Sequence, residues 1–218
     1  MPLNQSSDDA VGDASIAVLE PIEARILGSL IEKEATTPDA YPLTANAVVL
    51  ACNQKNNREP VMELEVGAVG HALREMTGKG LIRVVDGARA QRYDHRFATV
   101  WSVTARQQAL LSVLLLRGPQ TLAELHARTV RLAPPADIEE SKTALERLLQ
   151  HTPALVVNLG RAPGQREDRY MHLLCGPVSA AEFVSDAPSK RAGLEARLEA
   201  LEAEVDSLRR EVEALRGR

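Results

Sequence analysis

The chain has 218 residues, 44% of them hydrophobic but only 3% aromatic, and a formal net charge of −4. That is enough for two small cores filled by Leu, Val, Ile and Ala, and it excludes one large barrel or doubly wound sheet. The longest unbroken apolar run, Ala47 to Cys52, falls far short of the ~20 residues of a membrane span, and two distant cysteines without a CxxC partner, Cys52 and Cys175, support neither a disulfide scaffold nor a zinc site and read as buried thiols.

Residues 1–19 open on MPLNQSSDDAVGDAS, polar and acidic where a signal peptide would be basic and then apolar. They predict a disordered leader on a cytoplasmic protein. In residues 20–97, Ile22, Ile26, Leu27, Leu30 and Ile31 recur at helical spacing, with Pro21 suited to the first turn. A second helix starts near Thr44 as N-cap and turns Val48, Val49 and Cys52 inward. The third runs from about Leu64 to Thr77, with Val66, Val69, Leu73 and Met76 expected inside, and Gly78-Lys79-Gly80 ends it. Leu81 to Val85 and Gln91 to His95 then form a hairpin around the turn Asp86 to Ala90.

Residues 102–176 repeat that order. A helix near Ala105–Arg117 ends at Gly118-Pro119, and a second starts at Thr121, which forms a capping box with Glu124. A third begins at Asp137 with Leu145, Leu148 and Leu149 on its apolar face, and Leu155 to Val157 with Tyr170 to Leu174 make a second hairpin around Ala162-Pro163-Gly164. Three helices followed by a hairpin is the winged form of the helix-turn-helix, and it is written here twice. The first helix of the second unit is apolar on nearly all sides from Leu110 to Leu116, so it must be covered on more than one face. The two units are expected to pack together there. The first unit also carries two longer connections, Thr37 to Pro42 and about Gln54 to Glu63, and long loops on a rigid scaffold are where specialised function tends to sit.

The strings EARILGSLIEKEATTPDAYPLTANAVVLACNQKNNREPVM and RAPGQREDRYMHL, with the helices between them, resemble the YceH family of uncharacterised bacterial proteins over residues 20–176. The resemblance implies tandem winged helices in a cytoplasmic bacterial protein. It brings no established activity.

Asn53-Gln54-Lys55-Asn56-Asn57-Arg58 is the most suggestive run, since all six side chains can donate hydrogen bonds. Such a loop can bond phosphates or base edges, or its amides can cap the second helix and hold the loop by bonding its own backbone. Both readings stand open. The first hairpin adds Lys79, Arg83, Arg89, Arg92 and Arg96 against Asp86 and Asp94, as a phosphate-facing wing or as ordinary solvated charge. The third helices oppose nucleic acid: Glu63, Glu65 and Glu75 face only His71 and Arg74, and Glu139, Glu140 and Glu146 stand beside Lys142 and Arg147. The five histidines are dispersed, and no nucleophile motif, P-loop or metal-spaced cluster accompanies them. Neither cofactor nor catalytic residue is expected. Tyr41 and Trp101 read as packing residues.

After a linker over 177–193 the pattern becomes a heptad, with Leu194, Leu201, Leu208 and Leu215 at d and Leu198, Val205 and Val212 at a. Parallel pairing sets Arg197 against Glu202, Glu204 against Arg209 and Glu211 against Arg216, all attractive. Residues 194–218 therefore predict a homodimeric coiled coil, with a helix folded back on its own domains as the alternative. The expected fold is α+β, mostly α: tandem winged helix-turn-helix domains with a C-terminal coiled-coil helix. The expected function is non-enzymatic binding of double-stranded DNA in gene regulation, with Lys55, Arg58, Arg89 and Arg92 on phosphates and Arg74 reading bases. The runner-up is a protein-docking adaptor using the same surfaces and long loops.

Overall fold

Capping sets where the helices begin. The Glu23 carboxylate accepts the Glu20 N–H at 3.0 Å ahead of α1 (Pro21–Thr36), and the Thr44 hydroxyl accepts from Ala47 ahead of α2 (Ala45–Cys52). The computed structural model describes residues 18–87, 90–134, 136–161 and 165–178. Residues 1–17, most of the expected linker and the heptad residues 194–218 lie outside these. Leu19, assigned to the leader from sequence, belongs to the fold: it is buried, and its N–H donates to Leu174 O at 2.8 Å.

The first unit continues with α3 (Val66–Gly78), whose inner stripe is Val69, Ala72, Leu73 and Met76. Val66, expected inside, is 59% exposed, because the helix begins there and its first turn extends past the core. The hairpin follows as β2 (Ile82–Asp86) and β3 (Gln91–His95), and β1 (Leu43–Thr44), invisible in the sequence pattern, adds to β3 with Leu43 opposite Tyr93. All pairings are antiparallel, in the order β1-β3-β2. Gly87 permits the turn, since a Cβ there would sit 2.6 Å from Ala90 O.

The second unit has the same build: α5 (Ala105–Arg117), β4 (Gln120–Thr121), α6 (Leu122–Thr129), α7 (Ile138–Leu149), β5 (Val156–Gly160) and β6 (Arg169–His172), its sheet in the order β4-β6-β5. Capping boxes at Thr104, Thr121 and Asp137 open its three long helices. Between the units runs α4 (Phe97–Trp101), a short helix missed from sequence, with Phe97 and Trp101 buried and their ring centroids 4.4 Å apart. The described residues are thus α+β, largely helical, with two small antiparallel sheets.

What joins the halves is α1 against α5. Every residue from Glu23 to Ile31 is buried, and every residue from Ala109 to Leu116. Each helix is therefore covered on all sides, as expected for α5 but not read for α1. At their crossing Ser112 Oγ donates to Gly28 O at 3.2 Å, and a Cβ on Gly28 would lie 2.8 Å from Leu116 Cγ and 3.1 Å from Leu115 Cβ. The sequence predicts two cores; the contact fuses them into one continuous cluster from Leu19 to Leu174. Of the two cysteines, Cys52 is buried as expected, whereas Cys175 is exposed because it lies just past β6.

Two outcomes test this packing. Gly28→Ala should destabilise the protein by about 1–3 kcal/mol through overpacking, despite alanine's better helix propensity, while Gly67→Ala on α3, where a Cβ meets nothing within 4 Å, should be neutral or stabilising by up to about 1 kcal/mol. Urea titration of both variants reads the difference, and equal effects would contradict the close approach of α1 and α5.

His172 supplies a pH test. Burial lowers its pKa from an ordinary 6.5 to about 4, so the unfolded chain takes up the proton first as pH falls. The stabilising contribution is complete above about pH 6.5 and is lost progressively towards about pH 4, amounting to roughly 3 kcal/mol at most. His172→Leu should flatten that part of the stability curve relative to the parent chain, and an unchanged slope would show that His172 is not held neutral.

Candidate recognition surface

The run Asn53 to Arg58 begins where α2 ends, and a helix end leaves carbonyls without intrahelical partners. Arg58 fills that need. Its guanidinium, with no exposed side-chain surface, donates to Ala51 O from both Nε (3.0 Å) and Nη2 (2.9 Å) and forms a two-pronged pair with Glu32 on α1 at 2.5 and 3.2 Å. Gln54 Oε1 accepts from it as well, at 3.2 Å. Arg25 on α1 bonds Cys52 O and Pro60 O, at 3.3 and 2.6 Å. Burial, reinforced by the Arg58 cation, lowers the Arg25 pKa, and burial raises that of the adjacent Cys52 thiol.

The loop is closed by its first residue. Asn53 accepts the Leu64 N–H at 2.8 Å and donates to Leu64 O at 3.0 Å, pinning the two ends of residues 54–63 together. The loop also crosses to the second unit: Glu59 N–H donates to Leu116 O at 2.8 Å, and Arg117 donates to the Asn57 side chain. Asn57 has φ of +63°, a conformation Asn tolerates better than most L residues. This loop is a strap between units.

The shorter extension is tied down in the same way. The Tyr41 hydroxyl donates to Asp94 at 2.8 Å and accepts the His95 N–H at 2.8 Å, and burial raises its pKa, keeping the phenol protonated. Arg92 donates to Ala40 O and Pro42 O at 3.2 and 2.6 Å. His95 Nδ1 accepts the Phe97 N–H, which leaves the proton on Nε2 to bond Glu34 at 2.9 Å.

Of the expected DNA contacts, one is therefore corrected. Arg58 is buried and saturated, so it cannot meet a phosphate. Arg92 is half-buried, and its Nη1 donates to the Ala40 and Pro42 carbonyls. Arg89 lies outside the described residues. Among the other cations on and beside the first hairpin, Lys79 pairs with the buried Glu23 at 2.7 Å, Arg83 pairs with Asp94 at 2.5 Å while its side chain stays exposed, and Arg96 is exposed. Lys55 and Arg74 are exposed, with the Arg74 guanidinium folded over Gly70 on its own helix. The outward side of α3 is otherwise Val66, Gly67, Ala68, His71 and Glu75, preceded by exposed Glu63 and Glu65.

Other polar groups serve the fold. Ser141 Oγ lies 3.0 Å from His126 Nδ1, yet Ser141 is buried and the pair ties α6 to α7. No group of three or more His, Cys, Asp or Glu among the described residues is placed to hold a metal, and no described helix is long and apolar enough to cross a membrane. Surface hollows of about 530 and 300 Å³ are lined by no residue of α3 or of the 53–64 loop.

Comparison with known proteins places residues 19–165 in a family described as "Protein of unknown function, DUF480". A UPF0502 protein of Stenotrophomonas maltophilia is 51% identical over 185 residues, covering 85% of this chain and 84% of that one. A UPF0502 protein of Mesorhizobium japonicum is 51% identical over 188 residues, covering 85% and 90%. One from Xanthomonas euvesicatoria is 56% identical over 161 residues, covering 74% and 72%.

The internal role of Arg58 has a measurable consequence. Arg58→Ala leaves Glu32 and the α2 carbonyls short of donors and should cost about 2–4 kcal/mol, somewhat under a fully buried pair because Glu32 is partly exposed, whereas Lys55→Ala should stay within about 0.5 kcal/mol. Chemical denaturation of the two variants decides, and comparable small losses would show that Arg58 is not an anchor.

Proposed function

The chain belongs to the DUF480 family, consistent with the likeness of residues 20–176 to YceH proteins, and on that premise we propose that it is a non-enzymatic recognition protein of two winged helix-turn-helix units that docks a protein partner through the first. The order helix, short strand, helix, helix, hairpin in both halves supports the winged-helix reading. The observation that carries docking over DNA binding is the internal pairing of four of the first unit's cations. Arg58, Arg92, Lys79 and Arg83 all have partners within the chain, and α3 presents small side chains approached by carboxylates. A helix entering a DNA groove works the other way, with donors outward and phosphate-facing cations around it.

DNA binding is kept as a second reading by one observation, the exposure of Arg74 and His71 on α3 and of Lys55 on the strap. Photocrosslinking in cells from position 68 on α3, run beside binding of the purified chain to genomic fragments, separates the two. Docking predicts a discrete protein adduct and no DNA affinity with a steep salt dependence. Affinity that falls between about 50 and 200 mM salt with a log–log slope near −0.9 per phosphate, and that Arg74→Ala weakens, would replace docking with DNA binding.

A further inference from the structure

We infer that the corner of the first unit around the Asn53–Leu64 clasp is a docking site for an amphipathic segment with an apolar face and basic flanks; this rests on the docking reading and specifies its surface. Among the described residues, Leu50, Val61 and Val66 are three of the large hydrophobics left outside, at 72%, 53% and 59% exposure. They come from α2, the strap and α3, and each stands within three residues of Asn53 or Leu64, the two residues joined by the clasp. The clasp thus joins the backbone segments that carry these apolar groups, which are distant in sequence. Large apolar side chains left exposed near one another on a fixed backbone are a feature of interaction surfaces, and the clasp is what keeps these three segments close.

The backbone beneath is held before any partner arrives. Pro60 O, next to Val61, takes the Arg25 bond, and the Arg58 plug fixes the preceding turn. A surface held in this way loses little conformational entropy on binding.

Charge chooses the occupant. Along residues 61–65, Val61, Glu63 and Glu65 are exposed while Met62 and Leu64 are half-buried, so carboxylates flank the apolar groups. Lys55 is the strap's exposed cation against those two, Arg58 being buried. Phosphates are repelled there. A second copy of the same corner would set Glu63 and Glu65 against their own kind. Lysine or arginine flanking an apolar stripe complements the surface in both respects.

The test uses the full chain and two fluorescent helical peptides of about 20 residues, one of leucine and lysine with leucine on one face, the other of leucine and glutamate. The lysine peptide should bind and the glutamate peptide should not. Leu50→Ser with Val66→Ser should weaken binding about tenfold or more, and Glu63→Lys with Glu65→Lys should reverse the preference. Glu139→Lys with Glu146→Lys on α7, the same charge change elsewhere, should alter nothing. If the α7 variant weakens binding equally, the attraction is diffuse and the site is refuted. If removing residues 194–218 raises peptide affinity, the chain's own tail occupies the corner and an external partner is refuted. A protein adduct from α3 alongside no peptide binding would remove this corner while leaving the docking reading intact; loss of that adduct in favour of salt-sensitive DNA binding would remove both.

Discussion

Everything else in the molecule is arranged around the burial of α1 against α5. Two helices buried on every side cannot each be covered within a three-helix unit, because one such unit covers only part of a helix surface. Laid across one another they complete each other's cover, and Gly28 lets them approach closely enough for Ser112 to bond its carbonyl. The units do not share a core by accident of crowding. Each is left unfinished without the other.

That contact explains the use of the first unit's long loops. Where α2 and α5 end, their last carbonyls come near the same surface, and a strap between them answers both: Arg58 donates at the end of α2, and the Glu59 N–H at Leu116 near the end of α5. Burying a guanidinium is costly unless it is saturated with acceptors. Arg58 is saturated by Ala51, Asn57, Glu32 and Gln54. The second unit needs no such strap, and its corresponding connection is short.

Helix positions, caps and the repeat were legible because they depend on neighbours in sequence: Pro21, Thr44, Thr121 and Asp137 mark starts that the structure shares. The two-residue strands β1 and β4 were not, since their pairing depends on β3 and β6 far along the chain. The same limit governed the candidate site. A run of amides and cations reads alike whether it faces solvent or plugs a helix end, and only α1 beside it, with Glu32, decides. One signal was present: α2 closes on Ala51-Cys52-Asn53 with no glycine cap, so its carbonyls required a donor from elsewhere, and Arg58 was the nearest following arginine.

Rigidity follows from the same contacts and bears on recognition. Tandem modules on a flexible linker can adjust their spacing to a ligand. Here the connection is α4, buried through Phe97 and Trp101, and the fused core and the strap fix the units a second and third time. The outward faces of α3 and α7 are therefore held at one separation and angle. Any ligand spanning both faces would have to match that geometry, and one meeting only the first unit would meet a surface from which Arg58 has been withdrawn into the strap. Those faces have a preformed arrangement, set by the burial that made the two halves inseparable.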